Sequence, residues 1–135
     1  MIKVAVIGVG SLGQHHARIL AATAGVSLVG VADINPDQGR GVAERYGTRY
    51  FQDYQELIPL VDCVSVAAPT TDHHRICVPF LDAGRHVLVE KPIATEPADA
   101  RDLIRRAAQT GVVLQVGHLE RFNPALLAVR GSVRD

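Results

Sequence analysis

The sequence contains no tryptophan and only two cysteines among its 135 residues. Cys63 and Cys77 each stand alone within an apolar segment, so we expect buried free thiols of a cytoplasmic protein and no disulfide framework. Neither sign of charge dominates, because 14 Lys and Arg residues balance 14 Asp and Glu residues. The chain therefore has no excess of positive charge that would attract a nucleic acid, and we expect no nucleic acid as a partner.

Apolar runs long enough to cross a bilayer are also lacking. The run in MIKVAVIGVG is short and leads into a turn, where a signal peptide would carry a small-residue cleavage site. No repeat or low-complexity tract interrupts the chain. We therefore expect a soluble domain without membrane contact, long enough to bury a core without a metal or a disulfide.

Short β-branched runs alternate with helical patterns along nearly the whole chain. The predicted strands are KVAVIG (3–8), VSLVGVAD (26–33), TRYFQD (48–53), DCVSVAAP (62–69), HVLVE (86–90) and VVLQVG (112–117). The predicted helices begin near Ser11 and then cover 35–47, 70–84 and 96–111, with a helical turn at 54–58. This alternation predicts an α/β fold, in which a doubly wound parallel sheet of six main strands carries helices on both faces, as in a Rossmann fold.

The helical patterns also predict which side chains face the sheet. In the first helix, Leu12, Ile19 and Leu20 can share the inward face. In the helix over 70–84, Pro79 predicts a kink or a short first half. The remaining inward residues are predicted to be Ile76, Cys77, Phe80 and Leu81 in that helix, and Ala100, Leu103, Ile104, Ala107 and Ala108 in the last one.

A glycine motif follows the first strand, at the edge where a doubly wound sheet binds its ligands. Gly8, Gly10 and Gly13 form GxGxxG between a predicted strand and a predicted helix, a context far more specific than the glycines alone. Gly8 permits a tight turn, Gly10 lets the backbone approach a pyrophosphate, and Gly13 lets the helix pack closely. The amides around Ser11 and Leu12 would point at the anion with the helix dipole behind them. The motif predicts a dinucleotide site.

Asp33 ends the second strand, twenty positions after Gly13. A carboxylate there can accept hydrogen bonds from a ribose diol and would repel a 2′-phosphate. We therefore predict NAD as the cofactor, in preference to NADP. The alternative is a structural glycine turn beside a surface aspartate.

Five segments together carry a family resemblance: VIGVGSLGQHHARIL, VAD, AAPTTDHH, GRHVLVEKPIAT and VGHLERFNPA. In order and spacing they resemble the N-terminal domain of the glucose–fructose oxidoreductase/inositol dehydrogenase (Gfo/Idh/MocA) family, over essentially the whole chain. The most specific piece is HVLVEKPIA. The resemblance implies an NAD(P)-dependent dehydrogenase that acts on sugars, cyclitols or nucleotide sugars.

By that resemblance, Lys91 lies beside the nicotinamide and the reacting hydroxyl, and the Lys91–Pro92 peptide is often cis. The chemistry agrees, because a lysine just past a central strand faces the cleft and could stabilise an oxyanion or shuttle a proton. The competing interpretation is a solvated loop lysine paired with Glu90. We predict Lys91 as the catalytic residue, and both Glu90 and Lys91 as cofactor contacts.

Other candidates follow the fourth and sixth strands. Ala68, Pro69 and Thr70 occupy the place where the family contacts the dinucleotide. His118 and Arg121 would face the same cleft as substrate contacts, although Arg121 could equally cap a carbonyl instead of clamping a carboxylate or phosphate. His16 and His73 match family positions, where a structural role is favoured over catalysis. No metal site is predicted, since adjacent histidines on a helix point in different directions.

The segment GHLERFNPA resembles members that oxidise the 3-hydroxyl of UDP-N-acetylglucosamine, which makes that sugar nucleotide one candidate substrate. Two rival functions stay open. The family also includes non-catalytic regulators that sense the dinucleotide, and the glycines are compatible with sensing alone. A methyltransferase could use a similar glycine turn and acid, but the sixth strand and the Glu-Lys-Pro triplet count against it.

The resemblance also predicts the domain organisation. Residues 1–120 form the NAD-binding domain, and residues 121–135 begin a linker or helix that leads to a second domain outside this chain. In the family that second domain covers the nicotinamide, supplies much of the sugar site and mediates oligomerisation. We therefore expect a homo-oligomer at full length, an inactive cofactor-binding domain for this chain alone, and poor coverage of Leu126, Leu127 and Val129.

Overall fold

The computed structural model describes residues 1–129. The strands within them are β1 (Ile2–Ile7), β2 (Val26–Ala32), β3 (Arg49–Phe51), β4 (Cys63–Val66), β5 (His86–Val89) and β6 (Leu114–Val116). The helices are α1 (Gly13–Ala22), α2 (Pro36–Arg45), α3 (Thr70–Asp82), α4 (Pro97–Thr110) and α5 (Pro124–Val129), with 3₁₀ segments at Tyr54–Leu60 and Leu119–Phe122.

The six strands form one sheet in the order β3-β2-β1-β4-β5-β6, and every pairing is parallel. β1 lies at the centre, between β2 and β4, and the winding direction reverses between β1 and β4. The predicted doubly wound fold with six main strands is confirmed. Its ligand edge, beyond the carboxyl ends of β1 and β4, is the place where the predicted site residues should meet.

The core has two parts, one on each face of the sheet. On one face, α1 and α2 cover Val6 and Val31 with Ala17, Val42 and Ala43. On the other face, α3, α4 and the first 3₁₀ segment cover a larger cluster, which includes Leu57, Val64, Val66, Ile76, Cys77, Phe80, Leu81, Leu103 and Ala107. The predicted inward residues of α3 are confirmed.

The predicted inward face of α1 is wrong in part. Leu12 is 46% exposed and Ile19 is 53% exposed, whereas Leu20 is partly buried against the core. The residues of α1 that are buried are Gly13 and Ala17. Small residues at those positions let the helix lie close to the sheet, and the large side chains of Leu12 and Ile19 are left exposed. In α4, Leu103 and Ala107 are buried as predicted, but Ile104 is 57% exposed and Ala108 is also exposed.

Pro79 does not divide α3, which runs unbroken from Thr70 to Asp82. A proline removes the N–H that would bind the carbonyl four residues earlier, here the carbonyl of Arg75. The hydroxyl of Tyr54 donates to that carbonyl oxygen at 3.3 Å. A partner from the first 3₁₀ segment therefore satisfies the carbonyl that Pro79 leaves free.

One half of the sheet has an uncovered face within residues 1–129. On the side of α1, beyond β1, an apolar groove with a volume of about 370 Å³ runs over β4, β5 and β6. Its lining includes Val4, Ile19, Leu20, Leu88, Val113 and Leu119. Leu126, Leu127 and Val129 of α5 are each about half exposed, as predicted. No described helix is both long and apolar enough to span a membrane.

The two thiols are predicted to differ in reactivity toward a disulfide reagent. Cys77 is completely buried, and that burial raises its pKa to about 12. Cys63 is partly exposed, and partial burial together with the charge of Asp62 also raises its pKa. Because the thiolate is the reactive form, Cys63 should react with dithionitrobenzoate at pH 8, and Cys77 only after unfolding. Cys63→Ser should abolish the reaction of the folded chain, and simultaneous reaction of both thiols would contradict the structure.

Candidate functional site

The turn after β1 is shaped by two glycines that leave no room for a side chain. Gly8 has a φ of +77°, and a Cβ on it would lie 2.7 Å from the backbone of Ala68 at the end of β4. A Cβ on Gly13 would lie 1.8 Å from the carbonyl oxygen of Gly8. The turn is therefore packed against β4 on one side and against the start of α1 on the other, as the glycine motif predicts.

Gly10 serves a different purpose, because the space beside it is open. A Cβ at Gly10 would meet nothing closer than the side-chain nitrogen of Gln38, at 3.9 Å. Within residues 1–129, the N–H groups of Gly10, Ser11 and Leu12 donate to no protein acceptor. Free amides at the start of a ten-residue helix are suited to an anion. This open, amide-lined turn fits the pyrophosphate of a dinucleotide.

Asp33 is fixed by backbone amides at the end of β2. Its Oδ2 accepts from the N–H of Val9 and its Oδ1 from the N–H of Asn35, both at 2.8 Å. The hydroxyl of Tyr50 donates to the main-chain oxygen of Asp33 at 3.0 Å. Each carboxylate oxygen keeps a lone pair for a further donor, so the group is held in place and can still accept from a diol.

A pocket of about 270 Å³ joins these residues to the end of β4. It is lined by Gly8 and Asp33 on one side and by Ala68 and Pro69 on the other. Pro69 precedes α3, which begins at Thr70 and has no side-chain cap. The predicted cofactor residues of β1, β2 and β4 therefore meet at a single edge.

Lys91 lies at the same edge, two strands away from the glycine turn. Its side chain is exposed, and the Lys91–Pro92 peptide is cis, as the resemblance implies. Lys91 lines a second pocket, of about 620 Å³, together with Gly117, His118, Leu119 and Arg121. The predicted catalytic and substrate residues are therefore neighbours, whereas Glu90, the first residue of the Glu-Lys-Pro triplet, is 4% exposed and faces inward.

His73 is a structural residue, as predicted. It is 1% exposed, and its ring nitrogens lie 3.0 Å from the oxygen of Pro92 and 2.9 Å from the oxygen of Ala68. The ring connects the end of β4 to the cis peptide after β5. Arg121 lies exposed in the second 3₁₀ segment and makes no described side-chain hydrogen bond, so its capping role has no support among residues 1–129. No cluster of metal-ligating side chains occurs in the described part of the chain.

Sequence reasoning missed two residues at the turn, Gln38 and Asn35. Gln38 of α2 donates to the carbonyl oxygen of Val9 at 2.9 Å and holds the glycine turn from the side. Asn35 caps α2 by accepting from the N–H groups of Asp37 and Gln38. The Asn-Pro pair that starts α2 was the available signal for the cap. Nothing in the sequence alone indicates the contact of Gln38, because it depends on the tertiary position of α2.

Gly10→Ala is predicted to weaken NADH binding without unfolding the domain. The added methyl group would occupy the open side of the turn, where the anion has to meet the amides. Since each hydrogen bond to a charged group is worth about 1.5–3 kcal/mol, we expect at least about a tenfold rise in Kd. Isothermal titration calorimetry with NADH measures this Kd. Gly41→Ala is the matched control, because nothing lies within 4 Å of a Cβ there. Equal Kd values for the two variants would exclude this site.

Comparison with known proteins gives a consistent result. The profile of the oxidoreductase family with an NAD-binding Rossmann fold, Gfo/Idh/MocA, matches residues 2–118. A UDP-N-acetylglucosamine 3-dehydrogenase of Acidithiobacillus ferrooxidans is 36% identical over 96% of this chain and 41% of its own length. An inositol 2-dehydrogenase of Rubrobacter xylanophilus is 35% identical over 98% of this chain and 39% of its own length.

Solved structures agree with the sequence relatives. GenD2 from gentamicin A biosynthesis, in complex with NAD, superposes with a TM-score of 0.94 and 34% identity, over 99% of this chain and 39% of GenD2. The chain thus spans about two-fifths of the length of the relatives that it matches. The fold, the amide-lined turn and the family match together establish that this chain is an NAD-binding Rossmann domain and belongs to the Gfo/Idh/MocA oxidoreductase family.

Proposed function

We propose that the full-length protein is an NAD-dependent dehydrogenase that oxidises a secondary hydroxyl of a sugar, a nucleotide sugar or a cyclitol. The observation that carries this proposal is the shared edge of the sheet. The amide-lined turn, the fixed carboxylate of Asp33 and the exposed side chain of Lys91 all lie beyond the carboxyl ends of the strands. A dinucleotide laid along that edge from Asp33 would end beside Lys91.

In this proposal, separate residues of the chain bind the cofactor, act on the reacting hydroxyl and orient the substrate. Asp33 holds the adenosine ribose, the amides from Gly10 to Leu12 hold the pyrophosphate, and Ala68, Pro69 and Thr70 contact the dinucleotide at β4. NAD, when bound, accepts the hydride. The Nζ of Lys91 hydrogen-bonds the reacting hydroxyl and has one of two roles: the neutral amine accepts the proton that the hydroxyl loses, or the ammonium stabilises the negative charge on the oxygen while that proton passes to solvent. His118 and Arg121 orient the substrate from the same pocket.

For the substrate, we place UDP-N-acetylglucosamine first among the candidates. The relative with that printed activity is 36% identical to this chain, and the segment GHLERFNPA lies at the pocket that also contains Lys91. Arg121, with its exposed guanidinium, is suited to the diphosphate of a nucleotide sugar. The two free thiols fit a cytoplasmic location, and we propose a homo-oligomer for the full-length protein.

We further propose that residues 1–120 bind the cofactor and that 121–135 lead toward a second domain. No residue of α5 is buried, and the described relatives are more than twice as long as this chain. A site without that second domain lacks the groups that would orient a sugar and exclude water. The 135-residue chain alone should therefore bind NADH and show no turnover.

The test is a pair of assays with NAD and a panel of UDP-sugars, inositols and free sugars. Full-length protein should form NADH with at least one class of substrate, and the 135-residue chain should form none. Binding of NADH without turnover by the full-length protein would favour a dinucleotide-sensing regulator. Steady NADH production by the short chain would overturn the two-domain assignment.

A further inference from the structure

Glu90 is a buried carboxylate directly before Lys91. Its side chain is 5% exposed, and its Oε2 accepts from the backbone N–H of Lys91 at 3.2 Å. Its Oε1 lies 3.1 Å from His16 Nε2, a close contact that is too poorly directed to count as a hydrogen bond. A buried carboxylate is costly unless it has partners. The partners of Glu90 are thus the lysine backbone and a histidine of the cofactor helix.

His16 connects this carboxylate to the rest of the site. The side chain of His16 is 13% exposed and belongs to α1, one turn beyond the start of the helix at Gly13. Its Nδ1 lies 2.7 Å from the hydroxyl of Ser65 in β4, which is 2% exposed. The His16 imidazole therefore connects α1, the helix that follows the glycine turn, to β4 and to Glu90 after β5.

The remaining side of the carboxylate is closed by Gly117, after β6. A Cβ at Gly117 would lie 2.8 Å from Glu90 Oε1. On the opposite face of the sheet, His73 lies within hydrogen-bond distance of the Pro92 oxygen. The backbone of Lys91 thus lies between Glu90, which contacts α1 through His16, and the Pro92 carbonyl, which contacts α3 through His73, while the Lys91 side chain stays exposed.

We infer that Glu90 and His16 are positioning residues, which fix the direction of Lys91 by holding its backbone against the helix of the cofactor turn. The inference rests on the proposed catalytic role of Lys91. It assigns to Glu90 no contact with the cofactor, in contrast to the prediction from the sequence. It also means that one buried pair, Glu90 and His16, fixes the position of Lys91 relative to the helix that follows the glycine turn.

The rate test uses a double-mutant cycle in the full-length protein. Glu90→Ala should lower the hydride-transfer rate about 10–10²-fold, since small misplacements of a catalytic group cost that much, while Kd for NADH changes less than about threefold. In a Lys91→Ala background, Glu90→Ala should cost nothing further, because a positioning residue acts only through the group that it positions. An unchanged rate for the single variant, or full additivity of the two, would overturn the inference.

A conservative variant and a steric variant distinguish a role in positioning Lys91 from a general destabilisation of the fold. Glu90→Gln keeps the shape and an acceptor for the Lys91 N–H, so it should recover most of the rate lost in Glu90→Ala. Gly117→Ala should imitate Glu90→Ala from the other side, because the new Cβ would displace the carboxylate. The matched control is the pair His74–Asp102, also a histidine and a carboxylate, 2.9 Å apart on α3 and α4. His74→Ala should leave the rate unchanged, and an equal loss there would indicate mere destabilisation.

A second measurement needs no substrate. The chain contains only two lysines, Lys3 and Lys91, so ¹⁵N-lysine labelling gives two backbone amide signals. Both amides donate to carboxylates, Lys3 to Asp62 at 2.8 Å and Lys91 to Glu90. Glu90→Ala should speed hydrogen exchange at Lys91 about tenfold and leave Lys3 unchanged. Unchanged exchange at Lys91 would overturn the inference, whereas faster exchange without any enzyme activity would point to failure of the proposed function instead.

Discussion

Lys91→Ala in the full-length protein is expected to lower the rate of hydride transfer by about 10²–10⁴-fold, the usual cost of losing one positioned acid–base group. NADH affinity should change far less, because the proposed pyrophosphate and adenosine contacts lie two and three strands away, at β1 and β2. Single-turnover formation of NADH, followed by stopped-flow fluorescence, separates the chemical step from binding.

The chain supplies a matched control for that experiment. Its only other lysine, Lys3, lies at the amino end of β1, away from the ligand edge, so Lys3→Ala should leave the rate unchanged. Lys91→Arg keeps the positive charge but cannot exchange a proton near neutral pH. A low rate in this variant would assign proton transfer to the lysine, and a high rate would assign charge stabilisation. A rate for Lys91→Ala within a few-fold of wild type would remove Lys91 from the mechanism.

The second large effect concerns the choice of cofactor. NADH should bind at least about 10²-fold more tightly than NADPH, because the 2′-phosphate would face a carboxylate and such like-charge contacts cost several kcal/mol. Asp33 cannot easily turn away, since two backbone amides hold its oxygens. Fluorescence titration of the 135-residue chain with each nucleotide measures the ratio.

Two substitutions test the role of Asp33. Asp33→Ala should narrow the difference between the cofactors, and Asp33→Asn should do so with less disturbance of the turn, because the amide oxygen can still accept one N–H. Asp53→Asn is the control, since Asp53 lines the same pocket but binds the N–H of Gln55 instead of the turn. Equal affinity for both nucleotides in the wild type would show that Arg40, nearby on α2, offsets the acid.

The fold was predictable because each strand and helix is encoded locally. Continuous apolar runs mark strands that are buried on both faces, and Gly84 and Gly111, each with a φ of +71°, end their helices where the sequence places them. The inward face of α1 was not predictable from periodicity. Ile19 satisfies the helical spacing but faces the uncovered groove, since only Gly13 and Ala17 allow the close approach of that helix.

In the candidate site, too, features set by the local sequence were predictable and features set by tertiary contacts were not. Gly8, Gly10, Gly13 and Asp33 could be predicted as site residues because their spacing reflects a local strand–turn–helix unit. Glu90 stays a predicted cofactor contact, but its buried environment was not predictable, since alternation along an extended chain turns it to the side opposite Lys91. Its partners, His16 and Ser65, come from α1 and β4, so only the tertiary structure brings them together.

The strand order divides the domain into two halves along a seam between β1 and β4. Every other pairing joins segments fewer than 30 residues apart, whereas β1 meets β4 through partners such as Val4 and Cys63, 59 positions apart. Closing that long loop has the largest entropic cost in the sheet. Gly8 and Ala68 touch across the seam, and a dinucleotide bound as proposed would span it. The cofactor would then act as a reversible crosslink between the two halves, whose contribution to stability rises with its concentration by RT ln(1 + [L]/Kd).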